Sequence, residues 1–404
     1  MSSVNDRIAL AIKVEDEIRH HILPYWVVNS SDNVNGGFIG RMDYAGKIDF
    51  RADKAIILNT RILWTFSAAY RIYGDAQYLQ LAQKAYQYLK NYFMDEADGG
   101  VFWSVKYDGK PSETTKYLYG QAFSLFAISE FALIDSESKG YDCALDLYNL
   151  IENKCYKKEY NGYQEVFNRD WSALKGVPLG DDTETSRHSL NTHLHLLEAY
   201  ANLYRMQPRM DLAERLKNLI ELHIEIMYDP EIRHFYNFFN RYWEIKARNY
   251  SYGHDIEAVW LLLDAARLIK DSDLILKMEK IAMEVAESLI YEGLDKNHGG
   301  IFNLGNNGKV LDSNKQWWAQ AEAIVGLNYV WELDKNNCYM GAAKKIWEFI
   351  EQNFKDKIHG EWFFLVSKEG KPNQEYDKIG PWKCPYHTVR MAIELQNLIK
   401  TTIK

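Results

Sequence analysis

Apolar residues recur at i, i+3, i+4 and i+7 over most of the chain, the spacing that places them on one face of an α-helix. Only eight prolines interrupt the pattern in 404 residues. The periodicity predicts twelve helices, over 4–26, 55–72, 79–94, 117–133, 141–154, 187–206, 210–228, 252–269, 275–291, 316–333, 340–354 and 382–399. Their connections alternate in length. From an even helix to the next odd one the link is short: Gly74-Asp75, Asp135 to Gly140, Gln207-Pro208, Asp271 to Asp273, and Asp334 to Asn337. From an odd helix to the next even one it is several times longer.

The long links share a local signature. Gly36-Gly37-Phe38, Gly99-Gly100-Val101, Asn161-Gly162-Tyr163, His234-Phe235-Tyr236, His298-Gly299-Gly300 and His359-Gly360-Glu361 follow one another along the chain. Glycine permits the positive φ of a tight turn, and the β-branched or aromatic residues that follow suit a short strand. Taken as markers, Gly36, Gly99, Gly162, His234, Gly299 and Gly360 are nearly evenly spaced, with the widest step between Gly162 and His234. Six helix-pair units therefore tile the chain. One unit cannot bury its apolar face alone, but six in a ring can. The fold class is all-α: an (α/α)6 barrel with short β-hairpins in the long loops at one end, a single domain over residues 1–404. No Pro/Gly/Ser-rich linker separates the units, as independent helical domains would require.

Composition narrows the function. With 48 basic and 56 acidic residues the formal charge is −8, which gives no support to a nucleic-acid partner. No apolar stretch is long enough for a membrane-spanning helix. The N-terminal segment alternates apolar and charged positions and lacks the basic n-region and apolar core of a signal peptide. Four scattered cysteines form no C-x-x-C, so reduced thiols and a cytoplasmic location are expected; a monomer or weak homodimer is expected besides. The 12 Trp, 28 Tyr and 17 Phe are the informative excess. Sugar rings stack their C–H faces on aromatic faces, although an aromatic-rich core would have the same composition.

In such a barrel the even helices begin at the long-link end, so their early residues face its mouth. Polar residues concentrate there: Asn59 and Arg61; Tyr119 and Gln121; Asn191, His193, His195 and Glu198; His254 and Glu257; Gln316 to Glu322; and Trp382 to His387. At about 100° per residue, His193 and His195 diverge by about 200°, whereas Asn191 and His195 share a face. His254 and Glu257 are spaced i, i+3, so the carboxylate is expected to hydrogen-bond the imidazole. The same pair would serve as half of a metal site, but no second E-x-x-H or H-E-x-x-H completes one, so no metal is expected. Any one of these histidines would equally serve as a satisfied core residue. No phosphate loop, nucleophile elbow or dinucleotide fingerprint occurs. Three histidines near neutral pKa suit reversible proton transfer at carbon better than the separated carboxylates of an inverting glycosidase.

LNTRILW (58–64), NTHLHLLEAY (191–200), SYGHDIEAVWLL (251–262), WWAQAEA (317–323) and WKCPYH (382–387), in this order and spacing, resemble the N-acylglucosamine 2-epimerase superfamily. The likeness runs from about residue 20 to 395. It implies an (α/α)6 barrel, in agreement with the repeat count. It also implies an isomerase without metal or cofactor that epimerises C2 of the reducing-end sugar of a β-1,4-linked disaccharide, cellobiose to glucosyl-mannose or lactose to epilactose. By the same resemblance His254 and His387 are the acid/base pair, His195 assists, and Arg61 contacts the reacting end. Tyr119, Asn191 and Glu257 match sugar-contacting or supporting positions, and Trp317, Trp362 and Trp382 match aromatic platforms. The alternatives are an aldose–ketose isomerase on the same scaffold and, from another class, an inverting glycosidase.

Overall fold

In the computed structural model, which describes residues 2–174 and 188–402, the chain forms two concentric rings of helices. The inner ring comprises α3 (Ile56–Tyr73), α5 (Leu118–Ala132), α7 (Leu190–Met206), α9 (Tyr252–Ile269), α11 (Trp317–Asp334) and α13 (Tyr386–Thr402). Each packs on the next, and α13 closes back on α3. The outer ring comprises α1 (Ser2–Glu17) with α2 (Leu23–Asn29), then α4 (Ala76–Tyr88), α6 (Gly140–Lys154), α8 (Met210–Leu222), α10 (Ser272–Ser288) and α12 (Asn337–Phe349). This is the (α/α)6 barrel.

The two rings differ as their environments require. Inner helices are covered on one side by the outer ring and on the other by their neighbours, so residues around their whole circumference are buried, as throughout Leu118–Phe131. Outer helices bury only one stripe, for example Leu212, Leu216, Leu219 and Ile220 of α8. Short turns join inner to outer helices. Gly74 takes the left-handed conformation after α3, and the Asp75 side chain caps α4 by accepting from the Gln77 amide at 2.9 Å. Five outer segments continue into a π-helical turn, such as Leu89–Phe93 and Ile350–Phe354, which the helical period did not predict.

Several helix boundaries shift by a few residues, and two of the shifts bear on the site. The predicted start of the sixth helix at 187 lies outside the described residues, and α7 begins at Leu190. The last inner helix begins at Tyr386, not 382, because Pro385 disfavours helical backbone in the residue before it. Trp382, Lys383 and Cys384 thus belong to the loop over the barrel mouth.

The long links are stitched to one another as well as folded on themselves. The two-residue strand before each of four inner helices pairs antiparallel with the following link: Lys54–Ala55 with Ser104–Val105, Lys116–Tyr117 with Val166–Phe167, His188–Ser189 with Phe238–Phe239, and Lys315–Gln316 with Leu365–Val366. Tyr250–Ser251 pairs likewise with Leu304–Asn306, and a Met42–Ile379 bridge joins the first link to the last. Four turns are locked by a buried lysine. Lys54, Lys116, Lys315 and Lys378 pair with Asp32, Asp95, Asp295 and Asp356 at 2.9, 2.8, 3.0 and 2.6 Å. Each ammonium also donates to the carbonyl of Gly36, Gly99, Gly299 or Gly360. Such pairs fix one loop geometry more than they add stability, because desolvation offsets most of the Coulombic gain.

Candidate active site

The inner-helix N-termini bring Arg61, Tyr119, Asn191, His195, His254, Glu257 and His387 to the mouth end of the barrel axis, five of the seven deeply buried. Arg61 donates through Nη2 to the Tyr119 hydroxyl at 3.1 Å and through Nη1 to the Trp382 carbonyl at 3.4 Å. Its guanidinium lies 4.4 Å from the Phe123 ring centroid. Tyr119 meets His195 edge-on at 5.4 Å, and Asn191 shares a hydrogen bond with the Tyr119 hydroxyl. Burial pushes the Tyr119 phenol up to about 12. His193 turns away from this group, with Nδ1 on the Ser189 carbonyl at 3.0 Å and Nε2 accepting from the Tyr163 amide at 3.3 Å.

His254 and His387 flank one indole. Trp318 lies 4.7 Å from the His254 ring and 5.5 Å from the His387 ring, tilted about 40° to each. The Ser251 hydroxyl caps α9 by accepting from the His254 amide, so His254 stands in the first turn. His387 Nδ1 donates to Glu322 Oε1 at 2.8 Å, which leaves Nε2 as the nitrogen available to a ligand. Burial lowers the His254 imidazole to about 3, with His195 adding to the effect. Burial, then Arg61 and Arg390, holds His387 well below its ordinary range. Each ring therefore gives up an added proton readily.

Three expectations are corrected. Glu257 does not hydrogen-bond His254: its Oε1 accepts from Arg390 Nη2, and His254 Nδ1 has no partner among the described residues. A permanently charged guanidinium outcompetes an imidazole for a buried carboxyl oxygen. Trp317 is only 2% exposed and packs on Phe364 and Lys383; its neighbour Trp318 presents the ring beside the histidines. Trp362 is fully buried beneath the outer ring, where Nε1 donates to Glu17 Oε1 at 2.9 Å, so it offers no stacking surface. Trp382 does stand at the mouth, 5.8 Å from Tyr119 and 6.1 Å from Trp103.

Beneath the imidazoles lies a charged layer organised by Arg390, which none of the motifs contains. Arg390, one turn after His387, donates Nη1 to Glu198 and Nη2 to both Glu257 and Glu322, the last at 2.8 Å. Glu198 also accepts from Tyr386 Oη at 2.6 Å and pairs with His195 Nδ1 at 2.9 Å. Burial would raise Glu198, but Arg390 and His195 hold it down to about 2. Glu257 is pushed up to about 8 by burial and by the Glu322 charge, and burial raises Glu322 as well. Glu322 Oε2 takes the Trp260 indole N–H at 3.0 Å. The available signal was cost: a glutamate inside an otherwise apolar inner helix is expensive unless it is paired. Ligand atoms of Glu257, Glu322 and His387 lie within 4.8 Å of one another, the spacing of a metal site, but Arg390 and the His387 N–H already engage them.

The (α/α)6 barrel carries imidazoles and indoles at its mouth over a guanidinium–carboxylate layer, and its sequence places it among the carbohydrate epimerases, which are isomerases. The sequence matches the N-acylglucosamine 2-epimerase family over residues 37–390, and the chain belongs to that family. The cellobiose 2-epimerase of Bacteroides fragilis is 39% identical over 383 residues, covering 95% of this chain and 97% of its own. That of Dictyoglomus turgidum is 34% identical over 391 residues, with 96% and 99% covered. The solved cellobiose 2-epimerase from Bacillus thermoamylovorans superposes with a TM-score of 0.92 at 36% identity, over 96% of this chain and 99% of that one. Among the described residues no helix is long and apolar enough to cross a membrane.

Proposed function

We propose that this protein epimerises C2 of the reducing-end sugar of β-1,4-linked disaccharides, converting cellobiose to glucosyl-mannose and lactose to epilactose. The observation that carries the reading is the pair of imidazoles, His254 and His387, with ring centroids 4.7 and 5.5 Å from that of Trp318. C2 of an open-chain aldose is α to the C1 aldehyde, so loss of its proton gives an enediolate. His195, backed by Glu198, assists ring opening by moving the proton between O1 and O5. One imidazole of the flanking pair takes the C2 proton, and the other returns a proton to the opposite face. The pair must therefore hold one proton between them at the start of turnover. After a turnover that proton sits on the other ring, and exchange with solvent resets it.

Each remaining group has a role in this scheme. The Glu322 carboxylate fixes the His387 tautomer and supports its imidazolium. Arg61 faces the enediolate oxygens with a permanent positive charge. Trp318 and Trp382 hold the sugar rings, and Tyr119 and Asn191 support Arg61 and the reducing end. The sugar's oxidation state is unchanged, so the scheme needs no redox cofactor. Incubation with cellobiose followed by separation of the products tests the reading. Glucosyl-mannose, with C2 deuterated in heavy water, is the expected result. Glucosyl-fructose as the main product would make the chain an aldose–ketose isomerase, and free glucose would make it a glycosidase.

A further inference from the structure

The second and fifth long links are pinned to their inner helices by the same three residue types. Lys116 and Lys315 hold the turn, and a glutamine five residues later, Gln121 on α5 or Gln320 on α11, holds the residue after it. The Gln121 Oε1 accepts from the Val101 amide at 2.8 Å, and its Nε2 donates to the Val101 carbonyl at 3.0 Å. Gln320 treats Ile301 in the same way, at 2.7 and 3.0 Å. Glycine precedes Val101 and Ile301 for a steric reason. A Cβ on Gly100 or Gly300 would lie 2.6 or 3.0 Å from the glutamine oxygen.

The fourth link changes all three positions together. Tyr250 stands where the lysine would be, Asp255 replaces the glutamine five residues on, and His234 replaces the glycine. Asp255 Oδ1 accepts from the Phe235 amide at 3.0 Å, as the glutamines do in their links. A carboxylate has no N–H to return, and its second oxygen instead takes His234 Nδ1 at 2.7 Å. The His234 ring stacks flat on Tyr250, with 3.6 Å between centroids. Its Nε2 lies 2.9 Å from Ser288 Oγ and 3.4 Å from the Glu292 carboxylate. Both members of the His234–Asp255 pair are buried.

This link leads into the helix that carries His254. His195 Nδ1 is held by Glu198 at 2.9 Å and His387 Nδ1 by Glu322 at 2.8 Å, whereas His254 Nδ1 has no partner among the described residues. The His254 ring therefore takes its place from the backbone of the first turn of α9. Ser251 Oγ holds the His254 amide at 3.3 Å. Gly253 lets the turn approach α11, since a Cβ there would lie 2.7 Å from both Ala319 Cβ and the Trp318 ring. Asp255, the next residue, ties the turn to the link. We propose that His234 and Asp255 are positioning residues for the epimerisation, their bond fixing the first turn of α9 so that the His254 ring meets C2. The proposal rests on His254 as an acid/base group of that reaction.

The test is a swap that gives the fourth link the chemistry of the second and fifth. His234→Gly and Asp255→Gln are made singly and together, and kcat and KM for cellobiose are measured beside thermal unfolding. His234→Gly leaves a buried carboxylate without its partner, and Asp255→Gln presses an amide onto His234. Each should lower kcat per folded molecule by roughly 10- to 100-fold with KM little changed, because Trp318, Trp382 and Arg61 are untouched. Together they should restore kcat to within about threefold of wild type. A merely structural pair would lower the unfolding temperature and leave the kcat of the folded enzyme alone, and that result would overturn the proposal. So would a double variant that unfolds like wild type but turns over as slowly as the single ones. If neither single variant folds, Asp255→Ala, which removes both bonds and overfills nothing, decides by the same kcat criterion. His254→Asn in the same assay keeps the two readings apart. Near-normal epimerisation there would remove the catalytic role of His254, whereas its loss beside unimpaired clasp variants would remove the positioning role alone.

Discussion

Glu322→Gln separates the support of His387 from the support of the fold. The wild-type carboxylate accepts the His387 Nδ1–H at 2.8 Å while fully buried, and it also takes Arg390 and the Trp260 indole. Glutamine keeps the volume and an acceptor but removes the charge that supports the imidazolium. A hydrogen bond to a charged group is worth about 1.5–3 kcal/mol. At about 1.36 kcal/mol per decade, kcat should fall about 10- to 150-fold. KM for cellobiose should change little, since Trp318, Trp382 and Arg61 are untouched. The alkaline limb of the kcat profile should move to lower pH, because His387 then holds its proton less well. Stability should not fall in parallel: without the Glu322 charge that holds its proton on, Glu257 can ionise in its place beside Arg390. The assay is kcat against pH on cellobiose beside thermal unfolding at the same pH values. A folded Glu322→Gln enzyme within about threefold of wild-type kcat, with an unshifted profile, would refute the assignment.

Three further outcomes follow from the same geometry. His254→Asn and His387→Asn should each lose the roughly 10²–10⁴-fold typical of general acid–base catalysis, with unfolding temperatures near wild type; turnover per folded molecule left intact would make them core residues. Trp362→Phe should lower stability by about 1–3 kcal/mol through the orphaned Glu17 partner and leave kcat alone, whereas Trp382→Ala should raise KM with little change in unfolding temperature. Activity should survive exhaustive chelation, because Arg390 already neutralises the Glu257–Glu322 pair; loss that one divalent ion restores would reverse this.

The sequence was most legible where periodicity acts. Six nearly evenly spaced markers defined the units, and the ring followed from the need to bury each unit's apolar face. It was least legible where partners are distant in the chain. The His254–Glu257 spacing allows a local bond, but Arg390, far along the chain on α13, takes that carboxylate instead. Trp317 and Trp318 are adjacent, and which of them faces the sugar depends on how α11 is rotated against α9 and α13. Trp362 follows the same Gly-turn signature as its counterparts, yet its link tucks it against α1 and Glu17. The lysine clasps were readable in principle, as Asp-x3-Gly followed at a near-constant interval by a buried lysine in four of six links. Single lysines look like surface residues until their repetition is noticed.

The charged layer also fixes how the enzyme should respond to alkali. Arg61 and Arg390 carry two positive charges, and Glu198, Glu257 and Glu322 would carry three negative ones if all were ionised. With Glu257 raised to about 8, it keeps its proton at neutral pH and the layer is balanced. A balanced site suits a neutral sugar and leaves Arg61 free to face the anionic enediolate. The linkage has a definite sign. The folded carboxyl titrates near 8 and the unfolded one near 4.5, so the native state binds more protons between those values. The associated stability is complete below about pH 4.5 and is lost as pH rises through 8. The loss is spread over pH 5 to 8, where the native state holds the proton and the unfolded state has released it. Glu257→Gln cannot ionise, so its unfolding free energy should decline less over this range. Glu394, which burial raises to about 7, contributes equally in both proteins and cancels in the comparison. Urea unfolding of both proteins at pH 5, 6.5 and 8 measures the difference. Parallel stability curves would mean that Glu257 is ionised in the native state, and that the layer carries a net negative charge under the enediolate.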